Sequence, residues 1–196
     1  MKPKLYGLIL VGGRSIRMGR DKALISYNGT ETQLERTSAL LKVVCQNVFV
    51  SQRKDQNFES RSNINIIYDS VKAVKGPLRG ILSAMHSHPN DHWLVIACDL
   101  PNLEVNVLEK LVHEFTAESP QLIAYKSSFD DLPEPLCAIY PAGSSKELIA
   151  HSRMLNTYCP RKILIAKNIK LIEQDDPKSL NNVNTISEYY DSMKNT

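Results

Sequence analysis

From Gly12 to Lys22 the chain reads Gly-Gly-Arg-Ser-Ile-Arg-Met-Gly-Arg-Asp-Lys, three glycines and three arginines closed by a lysine. Glycine lets a backbone turn tightly and bring its N–H groups up to an anion with no Cβ in the way. Arg14, Arg17 and Lys22 add positive charge where the oxygens of a triphosphate would lie, around the turn made by Gly12 and Gly13. The chemistry open to such a loop is to hold a nucleotide. Its spacing excludes two common versions. A Walker loop needs Ser or Thr after its lysine, and Lys22 is followed by Ala23. The dinucleotide fingerprint Gly-x-Gly-x-x-Gly is absent because Gly12 and Gly13 are adjacent. The bland alternative is a solvated glycine-rich loop with incidental charge.

Two carboxylates follow strand-like runs and could join that loop. Asp99 closes the most apolar run of the chain, Trp93–Cys98, and Pro101 stops the ladder there. A carboxylate on stiff backbone is a candidate ligand for Mg²⁺, a hard cation that takes one or two carboxylates plus phosphate oxygens. The same residue could instead order the turn toward the next helix. Asp69 follows Ile64–Tyr68 and precedes Gly76-Pro77-Leu78-Arg79-Gly80, a rigid turn whose helix N-terminus could face ligand. It could accept bonds from a guanine or ribose edge, or serve as a turn residue with Ser70. Val71–Lys75, between these features, reads as a mobile segment.

Near the C-terminus, Asn181, Asn182 and Asn184 supply amide donors and acceptors suited to a polar heterocycle such as a pterin. They suit turns equally well, with Thr185 capping a helix over Ile186–Met193. Leu132–Tyr140 is a proline-bracketed loop entering a strand at Leu136, either part of a second substrate pocket or an ordinary turn. His86, His88 and His92 fall in one short segment that reads as a solvated loop, without the further ligands a zinc site needs. His113 and His151 lie in predicted helices. No Gly-x-Ser-x-Gly elbow or Cys/His pair offers a nucleophile.

These residues need a scaffold that brings loops together, and the periodicity predicts one. Strands are expected at Leu5–Val11, Asn47–Ser51, Ile64–Tyr68, Trp93–Cys98, Leu122–Tyr125, Leu136–Tyr140 and Ile169–Ile172. Helices are expected at Gln33–Val44, Leu78–His86, Val105–Glu118, Ser145–Leu155, Pro160–Ile165 and Ile186–Met193. The alternation implies an α/β fold, a mostly parallel central sheet covered on both faces in three Rossmann-like layers. Ligands of such a fold bind at the carboxyl ends of the strands, where the first loop, Asp69 and Asp99 all fall.

The chain has 196 residues, enough for a single domain over 1–196, and its 42% hydrophobic and 23% charged residues are ordinary for a globular protein. A net charge of +3, scattered and without aromatic interleaving, does not point to nucleic acid. Cys45, Cys98, Cys137 and Cys159 are far apart, with no Cys-x-x-Cys pair, and read as buried thiols rather than disulfides or metal ligands. The first apolar run breaks at Gly12-Gly13, too short for a membrane span and without a signal-peptide cleavage site, so the expected location is cytoplasmic.

Read together, these pieces resemble the molybdenum cofactor guanylyltransferases, a family of nucleotidyltransferases. The resemblance runs from Leu5 to about Tyr189. It rests on the Gly12–Lys22 loop, Asp69, Gly76-Pro77-Leu78, Cys98-Asp99-Leu100-Pro101, Pro135-Leu136 and Asn182-Val183-Asn184-Thr185, in the family's order. It implies transfer of GMP from GTP to molybdopterin, giving a guanine dinucleotide cofactor and pyrophosphate. By similarity, Leu10, Val11 and Gly12 would meet the guanine or ribose through the backbone and Lys22 would hold phosphates, joined, on the reading of the loop itself, by Gly13, Arg14 and Arg17. Asp69 would contact the nucleotide, Asp99 would hold Mg²⁺, and Asn182 and Asn184 would face the pterin. Lys22 and Asp99 would be the catalytic pair, and transient contact with molybdoenzyme maturation proteins is implied. Three positions depart from the pattern. Val11 replaces the usual alanine, Ile186 stands where the family has proline, and Ser51-Gln52-Arg53 replaces a nucleotide-contacting asparagine of some members. Two other readings stay open: a nucleotidyltransferase with another NTP or small phosphate acceptor, and a non-catalytic nucleotide-binding protein.

Overall fold

A computed structural model describes residues 3–11, 31–54, 64–115 and 120–182. The expected loop residues Gly12, Gly13, Arg14, Arg17 and Lys22, together with Asn184 and the helix expected over Ile186–Met193, lie outside the described residues.

The described chain runs β1 (Leu5–Leu10), α1 (Gln33–Val44), β2 (Asn47–Gln52), β3 (Asn65–Tyr68), α2 (Pro77–Ser87), β4 (His92–Ala97), α3 (Val105–Glu114), β5 (Ile123–Lys126), β6 (Pro133–Tyr140), α4 (Ser145–Met154), α5 (Pro160–Lys167) and β7 (Lys170–Ile172). The strands form one sheet in the order β3-β2-β1-β4-β6-β5-β7, with β6 antiparallel to its neighbours and every other pairing parallel. This is the α/β fold the alternation predicts.

Side chains alternating along each strand feed two cores. Ile9, Val48, Val50, Leu94, Ile96 and Ile139 pack with Leu34 and Leu41 of α1 and Leu108 and Leu111 of α3. On the other face Tyr6, Leu8, Trp93, Val95 and Tyr140 pack with Leu78, Ile81 and Leu82 of α2, Leu148 of α4 and Ile163 and Leu164 of α5. Every residue of β4 is buried, which explains why that strand reads as an unbroken apolar run. At Gly7 an added Cβ would sit 3.2 Å from Leu41, so the missing side chain lets α1 lie close on β1.

Local signals account for most boundaries. Thr32 accepts a bond from the Glu35 N–H at 3.2 Å while the Glu35 carboxylate accepts from the Thr32 N–H at 2.8 Å, a capping box that starts α1 at the expected residue. Pro77 and Pro160 open α2 and α5, where proline's missing N–H costs nothing.

Three expectations need correction. The helix expected to reach Glu118 ends at Glu114; Phe115 turns to extended backbone and sets its ring 4.9 Å from His92. The strand expected from Leu136 begins at Pro133. The β5–β6 register jumps from Ala124↔Ala138 to Tyr125↔Glu134, so Pro133 opens the strand and Pro135 sits in a bulge where no ladder donor is needed. The Tyr140 hydroxyl donates to the Pro135 carbonyl at 2.9 Å and satisfies it. Nor do the histidines form a solvated loop. His92 begins β4, 3% exposed, its Nδ1 accepting the Ala142 N–H at 3.0 Å, and His88 lies against Phe49 at 5.1 Å and Tyr6 at 5.2 Å. Cys45, Cys98 and Cys137 are buried and form no disulfide, as expected, whereas Cys159 is exposed.

Candidate functional site

In this strand order the chain winds outward in one direction from β1 to β3, then returns to β4 on the opposite side of β1. The β1/β4 boundary is therefore the topological switch point, where the loops leaving two neighbouring strands diverge and leave a crevice. Leu10 pairs with Ala97, and the Cys98 N–H donates to the Leu10 carbonyl at 3.2 Å. Leu10 is thus the last ladder residue. Val11, the root of the glycine loop, and Asp99, the residue after Cys98, leave the sheet side by side at its carboxyl edge.

The loop that carries Asp99 is held from α1. The buried Gln33 amide donates to the Leu100 carbonyl at 3.1 Å, and the Arg36 guanidinium donates to the Leu103 carbonyl at 2.8 Å. A further turn bond joins the Leu103 N–H to Leu100 at 3.3 Å. The start of α1 thus anchors the Asp99 side of the crevice. Asp99 itself is half-buried.

Asp69 stands on the same edge but further along. β3 pairs with β2 through Gln52↔Tyr68, and the Asp69 N–H donates to the Gln52 carbonyl at 2.9 Å. Its carboxylate accepts the Ser51 hydroxyl at 2.7 Å. Three strand spacings of about 4.8 Å put its backbone roughly 14 Å from that of Asp99. That distance is too long for both carboxylates to reach one cation. α2 closes over this corner. The Ser83 hydroxyl accepts the Ser70 N–H at 2.9 Å and the Val71 N–H at 3.2 Å, and Arg79 donates to the Val74 carbonyl at 2.8 Å. The segment expected to be mobile is thereby tied at both ends, with Val74 buried. Gly76 has φ 63°, a left-handed value that favours glycine, and Gly80 packs so tightly that an added Cβ would collide with the Ser51 hydroxyl and lie 2.9 Å from Leu10.

A pocket of about 250 Å³ opens at the carboxyl edge of β4, against the turn that carries Asp99. Ala97 and Leu100 form one wall, Glu134, Pro135 and Leu136 of β6 another, and Pro160, Arg161, Leu180 and Asn182 a third. Of the expected pterin-facing residues, Asn182 is at this pocket. The proline-rich entry of β6, read as pocket lining or turn, lines it too.

A divalent cation can be tested against the donors present. Among the described residues no three of His, Cys, Asp or Glu gather as an all-protein metal cage. Asp99 at the switch point instead fits a Mg²⁺ site completed by water and phosphate oxygens. The sequence offered no sign of Gln33, Arg36 or Ser83, and none that Ser51 braces Asp69, because these contacts are long-range hydrogen bonds that no local pattern encodes. Glu134 could have been noticed between two prolines.

Residues 7–168 match the family described as the MobA-like NTP transferase domain. A probable molybdenum cofactor guanylyltransferase of Clostridium perfringens is 31% identical over 200 residues, covering 97% of this chain and 97% of that protein. The molybdenum cofactor biosynthesis bifunctional protein of Synechocystis is 36% identical over 94% of this chain, which spans about half, 52%, of that relative. The crystal structure of molybdopterin-guanine dinucleotide biosynthesis protein A from Archaeoglobus fulgidus superposes with a TM-score of 0.72 at 21% identity, over 97% of this chain and 100% of that one. A 2-C-methyl-D-erythritol 4-phosphate cytidylyltransferase from Francisella tularensis shares the fold at a TM-score of 0.67 and 12% identity, over 98% and 100% of the two chains.

Proposed function

This chain belongs to the MobA-like NTP transferase family, and we propose that it transfers GMP from GTP to molybdopterin, releasing pyrophosphate. The carrying observation is the switch point, where the root of the glycine loop at Val11 and the Asp99 turn leave adjacent strands beside a pocket large enough for one fused ring system.

The reaction is an in-line displacement. A terminal phosphate oxygen of molybdopterin bonds to the α-phosphorus of GTP as the bond from that phosphorus to the bridging oxygen breaks, and the electron pair leaves with pyrophosphate. No protein nucleophile is required, because positioning and electrostatic stabilisation carry such transfers. The backbone at Leu10, Val11 and Gly12 receives the guanine or ribose. Gly13, Arg14, Arg17 and Lys22 hold the β- and γ-phosphates and offset their charge as they depart. Asp69, braced by Ser51, contacts the nucleoside end, and Asp99 holds Mg²⁺. Bound there, Mg²⁺ supplies charge neutralisation on phosphate oxygens. Asn182 and Asn184 face the pterin. The reaction draws on a nucleoside triphosphate pool and belongs in the cytoplasm, with product handed on by transient contact with molybdoenzyme maturation proteins. Among the described residues no helix is long and apolar enough to cross a membrane.

Incubation with Mg²⁺, molybdopterin and each of GTP, CTP and ATP tests this reading. Pyrophosphate release with GTP that depends on molybdopterin is the expected result. Release with CTP instead, or with a different phosphate acceptor, assigns another transferase activity. GTP binding without release identifies a non-catalytic nucleotide-binding protein.

A further inference from the structure

We infer that Glu134 is the specificity-determining residue of the acceptor pocket, its carboxylate held by Arg161 so that it takes the paired amino and ring N–H donors of an aminopyrimidinone. The inference rests on the proposed function and adds to it the way the heterocycle is read.

Three charges meet at this wall. Arg161 donates through Nη1 to Asp130 Oδ2 at 2.8 Å and through Nη2 to Glu134 Oε1 at 2.8 Å. One cation between two carboxylates leaves the trio with a net charge of −1, so this corner repels phosphate. The phosphate end of an acceptor is thereby turned away from the trio, and the ring toward it. Among the described residues, none bonds the second oxygen of Glu134, and its side chain is 24% exposed into the pocket region. A carboxylate is acceptor-only, and two adjacent N–H donors on a flat ring match it in the paired geometry that guanidinium groups also use.

The backbone fixes the group before any ligand arrives. Glu134 lies between Pro133 and Pro135, each with its φ locked, and pairs with Tyr125 just before the β6 bulge. Arg161 adds a side-chain restraint from the first turn of α5. Leu100 and Leu180, 4% and 8% exposed, offer apolar surface for the faces of the ring. A volume of about 250 Å³ lies below the roughly 300–1,000 Å³ of pockets for larger ligands, and suits a ring rather than a whole dinucleotide. A restrained, partly desolvated acceptor discriminates by leaving itself unpaired when a donor is missing.

The test compares pterin with lumazine, which carries an oxo group where pterin has its 2-amino group. Binding to the full chain is read from each compound's own fluorescence, independently of turnover, and the acceptor KM is measured in the pyrophosphate assay. Wild type is expected to bind pterin at least tenfold tighter than lumazine. In Glu134→Gln, which keeps the shape and loses the second acceptor, that preference should fall to about twofold or less, with the acceptor KM raised and the GTP KM unchanged. Arg161→Met, which frees Glu134, should reduce the preference part of the way. An undiminished preference in Glu134→Gln, or failure of wild type to distinguish the two compounds or to bind pterin, overturns the inference. Absence of pyrophosphate release with an intact pterin preference counts against the transferase reading alone.

Discussion

Asp99 and Asp69 both follow a strand, but their surroundings give them different work. Asp99 sits at the switch point beside the root of the glycine loop, and Asp69 lies three strands' width away, its carboxylate taken on one side by Ser51. In the proposed reaction, replacing Asp99 removes a contact that matters most as charge develops, at a cost on the order of 3 kcal/mol or about a hundredfold in rate. Asp99→Ala and Lys22→Ala should therefore each lower kcat about a hundredfold, with the thermal midpoint of the apo protein changed little; steady-state kinetics beside a melting curve decides this. Ser51→Ala acts one step removed. It leaves Asp69 without its brace and should raise the GTP KM several-fold while kcat holds, the split expected of ground-state positioning.

At the scale of elements, the site depends on two close packings. α2 can approach β1 and β2 because Gly80 has no side chain to meet Ser51 and Leu10. Gly80→Ala should cost about 1–3 kcal/mol by overpacking, read from the urea midpoint, and should also raise the GTP KM because the displaced hydroxyl is the one that holds Asp69. α1 grips the Asp99 turn through Gln33 and Arg36. Gln33→Leu removes one of the two bonds to the Leu100 carbonyl and leaves the Leu103 N–H on it, a loss of about 0.5–1.5 kcal/mol, and should raise the Mg²⁺ concentration needed for half-maximal rate. Elements with strong local signals were legible from residue order alone. The apolar spacing of α1, the proline turn before α2 and the apolar run of β4 each state their own position. The proline-opened strand β6 was not, because Pro133 argues against a strand unless one knows that a bulge will excuse Pro135. The end of α3 was missed for a similar reason: Phe115 leaves the helix to meet His92, a partner distant in sequence. Within the site, the residues proposed to touch a ligand carry sequence patterns, while those that position them do not.

The whole molecule should respond to pH through groups it buries. Burial pushes the Cys45 thiol from its ordinary 9.0 up to about 12, and raises Cys137 as well. Below pH 9 folded and unfolded chains both keep these protons. Above it the unfolded chain gives them up first, so stability should fall by about 1.4 kcal/mol per pH unit for each thiol up to about pH 12. His92 acts on the acid side. Burial lowers its pKa, so the unfolded chain takes up a proton first as pH falls below 6.5, and protonation also removes the acceptor used by the Ala142 N–H. Urea midpoints between pH 5 and 11 should trace a plateau with losses on both sides, and His92→Asn should flatten the acid limb. The central claim concerns convergence: the loop that begins at Val11 and the carboxylate of Asp99 share one triphosphate and its cation. Calorimetric titration of GTP with and without Mg²⁺, in wild type and in Asp99→Ala, tests it most directly. Mg²⁺ should tighten GTP binding in wild type and have little effect in Asp99→Ala; equal tightening in both proteins would contradict the account.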